Sequence, residues 1–158
     1  MNKQKELELK KLGLWGILGI AVIAVIAIVS ALQFGERSPM LVSGRIKVAP
    51  AVMEAAKASS IMFITLFDAD SPAPMPYGAL RETLKGSIGP EGYEFYVTPE
   101  RINMMAQGRP QPTAFRVKAR LDMDGQGGPD QPGDIVGKID RVAVGSDNVE
   151  IIIQDVVQ

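Results

Sequence analysis

Most of the chain alternates apolar and polar residues in short runs that end at glycine, proline or aspartate. In residues 41–48, Val42 and Ile46 alternate with Arg45 and Lys47, the period of two that is typical of a strand with one buried face. Similar or continuous apolar runs predict further strands at residues 60–67, 79–85, 92–98, 113–122, 135–144 and 149–157. About seven short strands with little helix between them predict an all-β, antiparallel sandwich.

Three segments interrupt the strand pattern. Residues 50–57 read PAVMEAAK, and a proline followed by alanine, methionine and glutamate predicts one or two helical turns. Residues 68–76 carry three prolines, which a central strand does not accept, so this segment is expected to be a loop. Residues 124–133 are rich in glycine, proline and aspartate and predict a second long loop.

The N-terminal part of the chain has a different pattern, an uncharged apolar run at residues 12–32. A helix of this length spans roughly 30 Å, which matches the hydrocarbon core of a bilayer. A cleaved signal peptide is the alternative, because Val29-Ser30-Ala31 offers small residues to a signal peptidase. The run is longer than the apolar region of a signal peptide, which favours a retained anchor.

Charge predicts the orientation of this anchor. Four lysines precede the apolar run, and only Arg37 lies close behind it. The positive-inside rule therefore places the N-terminus in the cytoplasm and the rest of the chain on the other side of a bacterial inner membrane. The predicted organisation is a cytoplasmic tail at residues 1–11, a transmembrane helix at 12–34, a linker at 35–40 and a periplasmic domain at 41–158.

Composition excludes several functional classes. The 158 residues include 17 basic and 18 acidic side chains, and this net charge of −1 gives no field to attract nucleic acid. The chain has no cysteine and no histidine, so thiol and histidine nucleophiles, zinc sites and histidine haem ligands are absent from it. We expect neither catalysis nor a bound cofactor.

Two groups of residues invite a metal hypothesis. Soft thioether ligands suit copper(I), and the candidates are Met75, Met104, Met105 and Met123. Carboxylates suit calcium, and the candidates are Asp122, Asp124 and Asp130. Methionine also fills gaps in a β core, and aspartate beside glycine also makes turns. We therefore predict no metal site.

Two exposed features are candidates for protein contact. The first is a stiff, proline-rich loop, represented by Pro72, Pro74, Met75, Pro76 and Tyr77. The second is a one-sided basic row on the strand at residues 113–122, formed by Arg116, Lys118 and Arg120. The proline-rich loop is explained equally well as a structural crossing between the two sheets. The basic row is also explained as the solvent-exposed face of a sheet. In the anchor, Gly13, Gly16 and Gly19 form a stripe of small residues that permits close helix packing.

From about residue 42 to residue 157 the chain resembles the C-terminal immunoglobulin-like domain of the CycH/CcmI family of cytochrome c maturation proteins. The resemblance rests on an ordered series of short motifs, namely Val48-Ala49-Pro50, Met62-Phe63-Ile64, Ala73-Pro74-Met75-Pro76, Met104-Met105, residues 117–120, residues 132–137 and residues 142–146. The tetratricopeptide region with which the family holds unfolded apocytochrome is missing, so no residue here inherits that activity.

The resemblance implies an immunoglobulin-like fold, a periplasmic location and a role near cytochrome assembly. We expect a non-enzymatic, membrane-anchored accessory factor in cytochrome c maturation that acts by protein contact. The alternative is a single-pass structural subunit of a respiratory, cytochrome-containing membrane complex. The expected partners are the membrane and proteins of one of these two systems.

Overall fold

Nine strands and one short helical segment make up the described part of the chain, which comprises residues 39–72, 75–106 and 108–158 of a computed structural model. The strands are β1 (Val42–Val48), β2 (Ile61–Asp68), β3 (Gly78–Thr83), β4 (Tyr93–Val97), β5 (Asn103–Met104), β6 (Ala114–Asp122), β7 (Ile135–Ala143), β8 (Ser146–Ile153) and β9 (Asp155–Val156). The predicted strands are confirmed, apart from the changes described below.

The helical segment between β1 and β2 also follows the prediction. A 3-10 turn at Pro50–Val52 leads into a single α-helical turn, α1 (Met53–Ala56). Proline fits the first position because its missing N–H has no acceptor at a helix start. Val52 and Ala56 lie four residues apart and are both buried, so one side of the segment packs against the core.

The strands form two sheets. The larger has six strands in the order β5-β3-β2-β6-β7-β9, and every neighbouring pair is antiparallel. The smaller has three strands in the order β4-β1-β8. Here β1 pairs with β8 in parallel, so the expectation of a purely antiparallel structure is wrong for this pair. Parallel neighbours need a long connection, and the strands of the larger sheet supply it.

A single hydrophobic core is shared by the two sheets. Ile46, Val97 and Ile151 enter it from the smaller sheet, and all three are fully buried. Ile64 and Phe115 enter it from the larger sheet and are also fully buried. The prediction of an all-β structure with two packed layers is confirmed by this arrangement.

A glycine lies where β7 of the larger sheet passes close to β8 of the smaller sheet. A Cβ atom on Gly137 of β7 would lie 2.1 Å from the carbonyl oxygen of Ile152 in β8. The chain leaves the smaller sheet immediately afterwards, where the Gln154 N–H donates to the Val136 carbonyl oxygen at 3.0 Å. The single strand predicted at residues 149–157 is therefore wrong, because the chain divides into β8 and β9 on different sheets.

Residues 1–38 lie outside the described residues, and with them the predicted tail, the predicted anchor with Gly13, Gly16 and Gly19, and most of the linker. Within residues 39–72, 75–106 and 108–158 there is no helix of the length and apolarity needed to cross a membrane.

Candidate functional site

Aromatic and basic side chains stand side by side on the outer face of the larger sheet. Antiparallel register pairs Phe63 with Arg120 and Phe67 with Arg116 across β2 and β6, and directly paired residues share a face. The Arg120 guanidinium lies 5.0 Å from the centre of the Phe63 ring, and that of Arg116 lies 5.4 Å from the Phe67 ring. These are cation–π distances, so guanidinium groups and aromatic rings pair with each other across the outer face.

A groove of about 510 Å³ opens on this face. Its short side chains, Thr65 and Ala79, pair directly across β2 and β3, and Thr65 lies between Phe63 and Phe67 on β2. The remaining walls are contributed by Pro76 and Met105 and by the segment from Gly128 to Asp130. The volume is within the range of binding sites for small ligands or a few side chains.

The wall that contains Gly128 belongs to the long loop between β6 and β7, which aspartates hold in place. Asp134 accepts hydrogen bonds from the Met123 N–H at 3.0 Å and the Gln131 N–H at 2.9 Å. Asp122 accepts the Gly125 N–H at 2.6 Å. The carboxylates considered above for calcium thus serve as acceptors for the loop backbone or as partners of basic residues.

Arg120 lies beneath this loop with only 5% of its surface exposed. Its guanidinium donates to the Gly128 carbonyl oxygen and to Asp122 Oδ2, both at 2.9 Å. It also lies 3.4 Å from Asp130 Oδ1 and 3.6 Å from Asp134 Oδ2. Its Nε atom is buried and has no hydrogen-bond partner among the described residues. The prediction that Arg120 belongs to an exposed basic row is therefore wrong, because the loop covers it.

Burial also changes the acidity of the carboxylate beside Arg120. Desolvation raises the pKa of Asp122 above its ordinary value, while the Gly125 N–H and the Arg120 charge act in the opposite direction. The side chain of Asp122 is 1% exposed. A buried carboxylate of this kind is tolerated because a guanidinium and a backbone N–H pair with it.

The other two members of the predicted basic row have different surroundings. Lys118 lines the groove and forms an ion pair with Asp130. The ion pairs of the described residues do not include Arg116, whose charge faces the Phe67 ring instead. Arg81 is exposed, pairs in register with Phe63 and is likewise absent from those ion pairs. On this face of the described part of the chain, the cations outside the ion pairs are thus Arg116 and Arg81.

Sequence reasoning missed Arg81 and the two phenylalanines. Residues 60–67 form an almost continuous apolar run, which predicted a central strand but did not indicate a partly exposed aromatic face. The observed burial instead alternates, with Ile64 and Leu66 fully buried and Phe63 and Phe67 only partly buried. Phenylalanine at every fourth position of a strand was the available signal, since such positions share a face.

Among the described residues of the proline-rich loop, only Pro76 lines the groove. The expectation that Tyr77 is exposed is wrong: it is 7% exposed, its ring lies 5.2 Å from that of Phe115, and its N–H donates to the Leu66 carbonyl oxygen at 2.8 Å. Pro72 and Met75 are exposed and do not line the groove. Pro74 lies outside the described residues.

The methionines considered for copper have separate surroundings. Met105 lines the groove, Met75 lines a smaller cavity of about 100 Å³ beside Tyr77, and Met104 packs against the core. Met123 begins the long loop and is partly buried. In the part of the chain that the structure describes, no group of three or more His, Cys, Asp or Glu side chains is placed to hold a metal ion.

The groove combines apolar walls with cations at its margin, a chemistry suited to recognising a partly apolar, negatively charged partner. Ala79 and Thr65 leave room on it, and Phe63 and Phe67 offer ring faces. Comparison of the chain with protein-family models, with curated proteins and with solved structures finds no match.

Proposed function

We propose that this protein is a membrane-anchored, non-enzymatic accessory factor that acts by protein contact in cytochrome c maturation, with an immunoglobulin-like domain in the periplasm. The observation that carries the contact role is the groove on the larger sheet. It brings together residues from both predicted contact features, with Pro76 from the loop and Lys118 from the basic strand. The resemblance of residues 42–157 to the CycH/CcmI family supports a role in cytochrome c maturation.

The all-β fold is compatible with a role in protein contact. A two-layer β domain presents rigid sheet faces, and a rigid surface loses little entropy when it binds. The aromatic rings and Met105 lie in a recess on one such face. Aromatic residues, methionine and arginine are the residues enriched in protein interfaces.

The predicted anchor at residues 12–34 supports the same role. A domain tethered to a membrane meets other membrane proteins at a high effective concentration, so weak contacts suffice for function. Exposed patches of moderate size, such as this groove, provide contacts of that strength.

A permanent structural subunit of a respiratory complex is the alternative. The observation in its favour is the stripe of Gly13, Gly16 and Gly19, which permits close packing against a neighbouring transmembrane helix. In that case the chain would remain bound in a fixed ratio to the other subunits. An assembly factor would instead be recovered with its partners in small and variable amounts.

Affinity purification of the full chain from its native membranes in mild detergent tests the proposal. We expect recovery of haem-handling or cytochrome-containing proteins, and loss of that recovery in Ala79→Arg, which fills the groove. Thr83→Arg is the matched control, because Thr83 is exposed on the same strand and lies outside the groove. Stoichiometric recovery with an oxidoreductase supports the alternative. If the wild type recovers neither haem-handling or cytochrome-containing proteins nor an oxidoreductase, the proposed function and its alternative are both overturned.

Topology is tested separately. Protease added to opened cells from the periplasmic side should degrade residues 41–158 and leave the tail intact. If the domain resists protease there but is degraded after the inner membrane is permeabilised, the proposed location is wrong.

A further inference from the structure

The cations on the outer face of the larger sheet differ in how far carboxylates neutralise their charge. Lys118 pairs with Asp130, and Arg120 is surrounded by the carboxylates of Asp122, Asp130 and Asp134. Lys138 lies opposite Lys118 in the register and forms an ion pair with Asp140 at 3.7 Å. Arg81 and Arg116 have no place in the ion pairs of the described residues. These two arginines leave positive charge beside the groove, so a partner segment with negative charge is favoured.

The two arginines lie beside the groove at diagonally opposite ends, next to the phenylalanines that line it. Arg81 is in register with Phe63 on one side of β2, and Arg116 is in register with Phe67 on the other side. Four residues along a strand correspond to roughly 13 Å and two strand spacings to roughly 10 Å, so their Cα atoms are roughly 16 Å apart. Between them lies the recess at Thr65 and Ala79.

An extended peptide can contact Arg81, the recess and Arg116 at the same time. Alternate residues of an extended chain point to the same side. If acidic residues lie two positions before and two positions after an apolar residue, all three side chains therefore point to the same side. The two acidic Cα atoms are then roughly 13 Å apart. The flexible arginine and glutamate side chains span the remaining few ångströms.

We propose that the groove binds an extended segment of a partner protein with the pattern acidic, any residue, apolar, any residue, acidic. The apolar side chain enters the recess at Thr65 and Ala79 between the two phenylalanine rings. One carboxylate pairs with Arg81 and the other with Arg116. This inference rests on the proposed contact role, because it names the chemistry of the partner at that same groove.

Two synthetic peptides of identical composition test the spacing. Ser-Glu-Thr-Leu-Thr-Glu-Ser places both carboxylates on the side of the leucine, whereas Ser-Thr-Glu-Leu-Glu-Thr-Ser places them on the opposite side. Each is labelled with fluorescein and titrated by anisotropy with the full chain in uncharged detergent. We expect the first to bind at least about fivefold more tightly, the effect of one or two exposed ion pairs. Equal affinities would show attraction by bulk charge alone and overturn the inference.

Variants locate the binding site. Arg81→Gln and Arg116→Gln are each expected to weaken binding of the first peptide by about threefold to fivefold, and Ala79→Arg to abolish it. Lys85→Gln is the control, because Lys85 is exposed and follows β3 beyond Thr83, away from Arg116. Binding that is unchanged in both arginine variants contradicts the inference, as does equal binding of a peptide with glutamine in place of glutamate.

Two further outcomes would assign the groove to another occupant and overturn the inference. One is binding to phosphatidylglycerol vesicles that depends on Arg81 and Arg116, with no binding of either peptide. The other is self-association of the wild type that Ala79→Arg abolishes. If neither peptide binds, but cytochrome-related proteins are still recovered with the wild type and lost in Ala79→Arg, only this inference is rejected. Peptide binding without cytochrome-related recovery rejects the proposed function alone.

Discussion

Arg120 donates a 2.9 Å hydrogen bond from its guanidinium to the carboxylate of Asp122, two positions further along the same strand, where both side chains are almost fully buried. The two residues share a face of β6, and the loop between β6 and β7 folds over them. Burying either charge alone would be costly, whereas the pair supports the loop that forms one wall of the groove. The groove therefore depends on an ion pair beneath it.

Removal of Arg120 should destabilise the fold strongly. Arg120→Met leaves Asp122 and Asp134 buried without a cation, which is expected to lower the free energy of unfolding by about 3 to 5 kcal/mol. Urea denaturation followed by circular dichroism measures the change. Arg116→Met, on the same strand and face, is the control and should change stability by less than about 0.5 kcal/mol. Equal stabilities for the two variants would contradict a structural role for Arg120.

Gly137 should tolerate no side chain. A Cβ atom 2.1 Å from the Ile152 carbonyl oxygen forces β7 and β8 apart, so Gly137→Ala is expected to cost about 3 kcal/mol of stability. Gly89 is the matched control, because a Cβ there meets nothing within 4 Å. Thermal unfolding of both variants should show a large loss for the first and little change for the second. A Gly137→Ala protein as stable as the wild type would refute the close approach.

Arg101 should hold the free edge of β4 to the larger sheet. Its guanidinium donates to the Tyr96 carbonyl oxygen at 2.6 Å and to Glu82 of β3 at 2.5 Å, and it lies 3.8 Å from the Tyr96 ring centre. Arg101→Ala is expected to cost about 1 kcal/mol, because the side chain is partly exposed. Hydrogen exchange of the β4 amides should accelerate. If exchange increases equally throughout the domain, the contact is not local to this edge.

Asp70 supplies a pH-dependent contact. Hydrogen bonding from Arg141 holds the pKa of Asp70 below its ordinary value of 3.8. Because this pKa is lower in the folded state, the stabilisation is present above pH 3.8 and is lost as the pH falls through the folded value. In carboxyl NMR titrations, Arg141→Gln should raise the pKa of Asp70 towards 3.8, and Lys138→Gln should not. An unchanged titration of Asp70 in Arg141→Gln would disprove the pairing.

The strands were predictable because alternation survives in the sequence wherever one face of a sheet is buried. Val42 and Ile46 in β1 and Phe115 and Val117 in β6 all point into the core at the positions that the period of two requires. Turn residues bounded these runs correctly, because glycine and proline limit where a strand can continue.

Features created by distant contacts were not predictable. β5 has only two residues and forms through pairing with Gly78 and Ala79, so no local pattern indicates it. The division between β8 and β9 depends on the bond from Gln154 to Val136 in another strand. The burial of Arg120 depends on the loop after β6, which folds back to bring Gly128, Asp130 and Asp134 to its guanidinium. Without such a loop, a basic residue at an alternating position is usually exposed.

The parallel pairing of β1 with β8 has a consequence for biosynthesis. Ile46 of β1 cannot pair with Ile151 until β8 has left the ribosome, and β8 is synthesised after nearly all of the other strands. Contacts between residues so distant in sequence make folding slow, and until β8 arrives one edge of β1 has unsatisfied backbone donors and acceptors. Nascent chains are therefore open to mispairing with one another during this interval, and recombinant production should give more native protein at a low rate of synthesis.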